Sequence, residues 1–306
     1  MTLSGFRRPS AGVLALLGVA ICALIWGTTW FAITFQLGRV DPVASVVWRF
    51  GLAAIVLFAG CLLTGRSIRL NRVQHLAALG QGAFVFALSY AFVYASEQRV
   101  ASAIVAVIFA ALAFLNLVLF RVVAGQKAAP MAWAGASLGL IGVAVLSASE
   151  IVGAHLGVVA LVGIGFAVIA VCSSTVGNYF AWRGQVAGAA VIPATAWAMA
   201  YGTGILILYG VATGVHWRFE LTAAYLGSLF YLSIFGSVIA FVIYFTLARS
   251  RGYALASYIS ALTPPIAMLV SVMFEGARFG WPAFAGLGLV LAGQALLIRA
   301  PRIVTV

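Results

Sequence analysis

Inside the first long apolar run stands Trp26-Gly27-Thr28-Thr29-Trp30, two indoles bracketing two hydroxyls. Side chains of these types bind rather than react: an indole stacks on an aromatic or apolar group, and a hydroxyl orients its polar end. Related residues recur at helical spacing. Phe86, Tyr90 and Tyr94 are four apart, as are Ser174 and Asn178; Ser237, Phe241 and Tyr244 come close to it, and Ser257 and Ser260 flank Tyr258. Residues three or four apart share a helix face. The candidate substrate-binding set is therefore Trp26, Trp30, Tyr90, Tyr94, Ser174, Asn178, Tyr244, Tyr258 and Ser260, read as the lining of an aromatic cavity. The competing use is structural, with Ser and Thr bonding between helices and Trp and Tyr forming interfacial belts.

Catalytic groupings do not emerge. The sequence has no HExxH, no P-loop and no workable Ser/His/Asp order, and His75, His155 and His216 sit at the ends of apolar runs. Cys22, Cys61 and Cys172 lie inside such runs, so neither a disulfide framework nor a metal site is implied, and no cofactor is expected. An enzyme is not expected. Nor does any Asp or Glu fall within an expected span, which removes the usual carboxylate for proton or sodium coupling. Transport without tight proton coupling follows as the expectation. Arg49 is the one charge inside a span. It either meets a substrate carboxylate, or snorkels outward, or satisfies backbone carbonyls or a loop acid.

The elements that must hold these side chains are set by composition. Of 306 residues, 65% are hydrophobic and 7% charged, far from the balance of a soluble domain. The runs have the length of roughly 20 residues that carries a helix across the hydrocarbon layer. Ten spans are expected, at 11–36, 43–64, 73–96, 100–121, 129–148, 156–181, 188–213, 222–248, 253–274 and 281–299. The first is kept as a span rather than a leader, being too long and carrying two Trp. The links are short, so activity must lie within the bilayer.

Charge sets the orientation. One side collects Arg7, Arg8, Arg66, Arg69, Arg72, Arg121, Lys127, Arg183, Arg249, Arg251, Arg299 and Arg302 with no acid. The other carries Arg39, Arg99, Arg218 and Arg278 with all the acids: Asp41, Glu97, Glu150, Glu220 and Glu275. The basic side is the cytoplasmic one, which places both termini there. The net charge of +12 is thus a topology signal with some attraction to anionic lipid, and nucleic acid is not an expected partner.

A repeat is legible as well. Gly12-Val-Leu-Ala-Leu-Leu-Gly18 resembles Gly157-Val-Val-Ala-Leu-Val-Gly163, and the same offset sets Thr28-Thr29 against Ser173-Ser174. Gly135 and Gly142 pair with Gly286 and Gly293. Residues 1–150 and 151–306 then each hold five spans, and an odd number forces the second half to run inverted. The fold class expected is an all-α integral membrane protein of two inverted five-helix repeats. The small-residue stripes serve either packing within the chain or dimerisation; no oligomer is implied.

Taken together, Ile25-Trp26-Gly27-Thr28-Thr29-Trp30-Phe31-Ala32-Ile33, Trp48-Arg49-Phe50, Tyr244-Phe-Thr-Leu-Ala-Arg-Ser-Arg-Gly252, Leu262-Thr263-Pro264-Pro265 and Glu275 resemble the EamA-like ten-helix group of the drug/metabolite transporter superfamily. The likeness covers essentially the whole chain. Two features depart from it: Ala110-Ala111 stands where the family often has Pro, and Arg121 where it often has Glu. Within the group, the aromatic, acid-free interior is most similar to bacterial aromatic amino-acid exporters. That resemblance implies an inner-membrane exporter of aromatic and other neutral amino acids, with a central cavity bounded by helices 1, 3, 4, 6, 8 and 9. A broad-specificity exporter of drugs or other small metabolites is the alternative.

Overall fold

In hydrocarbon each backbone N–H and C=O must find a partner inside the protein, and a helix supplies those partners within one segment. The computed structural model describes residues 11–153, 157–256 and 258–300, and among them it contains helices and no strand. The long helices are α1 (Ala11–Thr34), α2 (Pro42–Leu63), α3 (Arg72–Glu97), α4 (Ser102–Ala124), α5 (Pro130–Gly153), α6 (Val158–Val186), α7 (Val191–Thr213) and α8 (Ala223–Ser250). They are followed by α9 (Tyr258–Val270), which widens into Ser271–Glu275, and α10 (Trp281–Arg299). Seven stretches, in α1–α4 and α6–α8, are long and apolar enough to cross a membrane. The apolar parts of α5, α9 and α10 are shorter: Pro130–Leu146, Leu262–Glu275 and Trp281–Leu297.

Local chemistry fixes several helix ends. Asp41 accepts from the Val43 N–H at 2.8 Å with Pro42 in the first turn of α2, where a missing N–H costs nothing. Asn71 and Gln74 form a reciprocal capping box at the start of α3. At the ends of α4 and α9, Gly125 and Gly276 take positive φ, which a side chain would resist.

Three of the described helices depart from regular α geometry. Gly82–Ser89 in α3, Ile234–Ile239 in α8 and Ser271–Glu275 at the end of α9 are wound as π-helix. Such widened turns shift side-chain direction and release backbone acceptors, and they gather at functional sites. α4 is interrupted at Ala110–Ala111, where the chain tightens through Ala110 N–H to Val107 O and Ala111 N–H to Ile108 O. A break thus occurs here without the Pro that the resemblance leads one to expect.

Glycine stripes are used within the chain. A Cβ on Gly142 would lie 2.5 Å from the Gly286 carbonyl oxygen, and one on Gly286 would lie 2.7 Å from that of Gly142. Gly135 and Gly293 meet in the same reciprocal way, so α5 and α10 touch backbone to backbone. The other extensive pairings are α2 with α7, α1 with α9, and α3 with α6 and α7. Leu16, Leu63, Leu208, Val158 and Leu221 are among many large apolar side chains left on the outer surface, as a lipid-facing exterior requires.

One placement departs from the sequence expectation. Glu97 is not a loop residue: α3 runs one residue past the expected span, ends on it, and buries it. The acids are therefore not all at the surface, and the premise of a carboxylate-free interior is corrected.

Candidate functional site

A cavity of about 70 Å³ sits between α1, α2, α3, α4, α6, α8 and α9, room for several water molecules. Two larger grooves, one lined by α2, α3 and α7 and the other by α2, α7 and α8, are apolar almost throughout and suit lipid chains. The central cavity is where polar and aromatic side chains meet.

Its aromatic wall comes mainly from α1 and α8. The Trp26 ring lies 5.1 Å from Phe241 and 5.4 Å from Tyr244, and its Nε1 donates to the Gly236 carbonyl at 3.1 Å. That acceptor lies in the π turn of α8. Trp30, one turn further along α1, packs 5.1 Å from Phe109 at the break in α4. Tyr90 completes the wall from α3, with Ile33, Val85, Val93 and Leu112 filling the gaps.

The polar groups are few. Arg49 is 1% exposed and neither reaches the surface nor meets a loop acid. Its Nε donates to Ser237 Oγ at 3.0 Å, while Ser237 itself donates to the Leu232 carbonyl five residues back, a bond the π turn makes available. The guanidinium carbon lies 4.6 Å from the Tyr90 ring centroid and 5.1 Å from that of Phe50, so two π faces offset part of the cost of burying the charge. Arg49 Nη1 and Trp30 Nε1 are both buried and without an acceptor. Two unpaired donors thus belong to residues that line one cavity, each at the desolvation cost of an unmade bond.

On the opposite wall, Asn178 Nδ2 donates to the Tyr244 hydroxyl at 3.1 Å and lies 3.3 Å from Asn116 Oδ1. Ser174 is paired with Ser89 at 2.7 Å, and Ser89 sits in the π turn of α3. Thr29, Ser260 and Thr263 complete the polar lining. Thr29 and Thr263 donate to carbonyls one turn back on their own helices, which leaves their oxygens able to accept.

Of the candidate set, Trp26, Trp30, Tyr90, Ser174, Asn178, Tyr244 and Ser260 line this cavity. Tyr94 does not. It is fully buried beyond the wall and donates to Gln36 Oε1 at 2.6 Å, because a four-residue step from Tyr90 has moved it one turn along α3. The side chain of Tyr258 lies outside the described residues. Arg49 and Thr29, which are outside the candidate set, also line the cavity. Contact with a substrate is one of the readings the sequence leaves open for Arg49, and Thr29 belongs to the Trp26–Trp30 segment. Asn116, beside Asn178, was signalled only by an amide in an otherwise apolar run.

The sequence profile of the EamA-like transporter family matches residues 13–148 and again residues 161–299. The chain belongs to the EamA-like transporter family. This EamA-like chain is 27% identical over 281 residues to the uncharacterized inner membrane transporter YedA of Escherichia coli K12, covering 90% of the chain and 87% of YedA. A probable amino-acid metabolite efflux pump of the same organism is 26% identical over 295 residues, with 92% of each chain covered. A solved crystal structure superposes with a TM-score of 0.72 at 19% identity, over 95% of this chain and 99% of that one, which shows a shared fold. The EamA-like chain is accordingly a multi-pass membrane transporter of the inner membrane.

Proposed function

We propose that this transporter exports amino acids, favouring aromatic ones, by alternating access through the central cavity. The observation that carries the reading is the pair of open donors, Arg49 Nη1 and Trp30 Nε1, within an aromatic lining. A substrate carboxylate satisfies both, and an aromatic side chain stacks on Trp26 and Tyr244. The Asn178 amide and the oxygens of Thr29, Ser174 and Ser260 then receive the ammonium group. The similarity to a probable amino-acid metabolite efflux pump supports the same substrate class.

The architecture that goes with this reading is ten membrane-spanning helices in two inverted halves, residues 1–150 and 151–306, with both termini cytoplasmic. Support comes from the separate family match to each half and from the pattern of packing. If α1–α5 correspond to α6–α10, the α1–α9 contact has its counterpart in α6–α4, and α1–α8 in α6–α3; each of these pairs is present. The α2–α7 and α5–α10 pairs then lie on the axis itself. The basic loops support this orientation. A cavity of about 70 Å³ is smaller than an aromatic amino acid needs. The described conformation is thus a contracted one, which widens as the halves rock apart.

Ligand-dependent thermal stability of the purified transporter tests the substrate class. L-Phenylalanine is expected to raise the melting temperature with the logarithm of its concentration once that exceeds its Kd, phenethylamine, which lacks the carboxylate, to do so much less, and alanine least. An equal rise with tetraphenylphosphonium and no rise with phenylalanine would favour the broad-specificity exporter instead.

A further inference from the structure

Beyond the cavity, where α3 and α9 end, two carboxylates approach each other in different circumstances. Glu275 is served by hydroxyls: it accepts from Ser102 Oγ at 2.8 Å and from Ser271 Oγ. Glu97 is 8% exposed, and neither of its carboxyl oxygens has a hydrogen-bond partner. Seven residues after Tyr90, it lies on the same face of α3 as the cavity wall, about two turns further on. The charges of Glu275 and Arg49 both bear on it. One turn back on α3, Tyr94 donates to Oε1 of Gln36, which is 1% exposed and whose Nε2 is also unpartnered.

The ionisable groups around Glu97 are few. Glu275 comes from α9, Arg49 from α2, and Tyr90 and Tyr94 from α3 itself. The half of α6 packed against this end has no charged residue, nor has α1 or the first part of α4. Asp41 is engaged in capping α2. Arg99, two residues on, turns away: its Nη1 donates to the Ala95 carbonyl and its guanidinium lies 5.0 Å from the Phe166 ring. Among the described residues, no cation comes within 4.0 Å of the Glu97 carboxyl. A bare carboxylate sealed from water costs several kcal/mol, and a like charge nearby adds to that. A proton removes both costs.

We propose that Glu97 is a proton-binding site that takes up one proton when this end of the bundle closes and releases it when the end opens. The proposal rests on the alternating-access reading above. In the closed form the side chain is the neutral acid. When α3 and α9 part, water solvates the group, the O–H bond breaks heterolytically, and the proton leaves to that water. Closure requires the reverse, so acid at this end favours the closed form by up to about tenfold per pH unit, the limit for a one-proton step. Glu275 differs in having two hydroxyl donors, Ser102 and Ser271. Transport then responds to pH through a residue outside the substrate cavity.

Infrared difference spectroscopy of the purified full-length protein, titrated with acid and base, reads this site without any substrate. The chain has only five Asp and Glu side chains, which keeps the carboxyl region simple. Wild type is expected to show a protonated-carboxyl C=O band that is lost as pH rises. The band is expected to be absent in Glu97→Gln and retained in Glu275→Gln. Should Glu97→Gln fail to fold, Glu97→Asp decides: a displaced band supports the site, and an unmoved band overturns it. A wild-type band unchanged in Glu97→Gln, or no such band at all, overturns it outright. In proteoliposomes, the pH dependence of phenylalanine exchange is expected to be lost in Glu97→Gln. If phenylalanine is not moved at all, the substrate assignment fails while the infrared result still decides Glu97.

Discussion

Replacing Arg49 by Gln is expected to cut phenylalanine exchange by roughly 30- to 700-fold, the range for removing a buried charge that pairs with a carboxylate at about 2–4 kcal/mol. Its Nε is held by Ser237 and its plane by Tyr90, so the guanidinium is already positioned and its Nη1 is open. Losing a group placed in this way removes binding that no flexible side chain restores. Exchange of phenethylamine, which has nothing to offer Arg49, is expected to change less than about twofold, within the range of a lost packing contact. The protein should remain folded, because Gln eliminates a buried charge rather than creating one. Equal loss for both compounds would assign Arg49 to holding α2 against α8 and not to the ligand. Lys should restore little, since it has no fork and no plane to stack on Tyr90.

The second large effect concerns stability. Gly142→Ala is expected to destabilise the protein by about 1–3 kcal/mol, the usual cost of overpacking a tight contact. The added Cβ would stand 2.5 Å from the Gly286 carbonyl and 2.7 Å from the Val290 nitrogen, both backbone atoms of α10. Neither can turn aside as a side chain would, so the two helices must separate along the contact. Gly286→Ala is expected to cost a similar amount, because its Cβ meets the Gly142 carbonyl and the Leu146 nitrogen. The double variant should cost less than the sum, since the first substitution has already parted the helices. Gly288→Ala is the control: nothing lies within 4 Å of its Cβ, and Ala favours a helix over Gly by about 1 kcal/mol. Thermal unfolding of the four variants in detergent measures the series. A Gly142→Ala melting temperature no lower than that of Gly288→Ala would contradict the close α5–α10 contact.

What the sequence disclosed follows from where its signals were unambiguous. Long apolar runs have few physical outcomes, so the helices were legible to within a few residues at most ends. Trp26 was legible because an indole away from the interface has little to do but line a cavity. Arg49 was not, since one spacing allowed snorkelling, backbone bonding or ligand contact. Its use is decided by Ser237 and Tyr90, which lie on other helices, and by a π turn that no spacing rule signals. Tyr94 followed Tyr90 in the pattern, but a narrow cavity ends within one turn. Glu97 was misplaced for the opposite reason. Helix ends are the least legible boundary, and one extra residue on α3 converts a loop acid into a buried one. The asparagine pair was visible only by half, because Asn116 and Asn178 stand 62 residues apart along the chain, on different helices.

Counterflow in proteoliposomes tests the central claim, that the cavity around Trp26 carries aromatic amino acids. Vesicles loaded with unlabelled phenylalanine and placed in a trace of labelled phenylalanine should accumulate label transiently with the wild-type protein. Trp26→Ala should reduce that accumulation by roughly tenfold or more, since a lost aromatic stack and its buried area amount to about 1.5–3 kcal/mol. No counterflow of phenylalanine or tryptophan by folded wild type, or full counterflow by Trp26→Ala, would contradict the account.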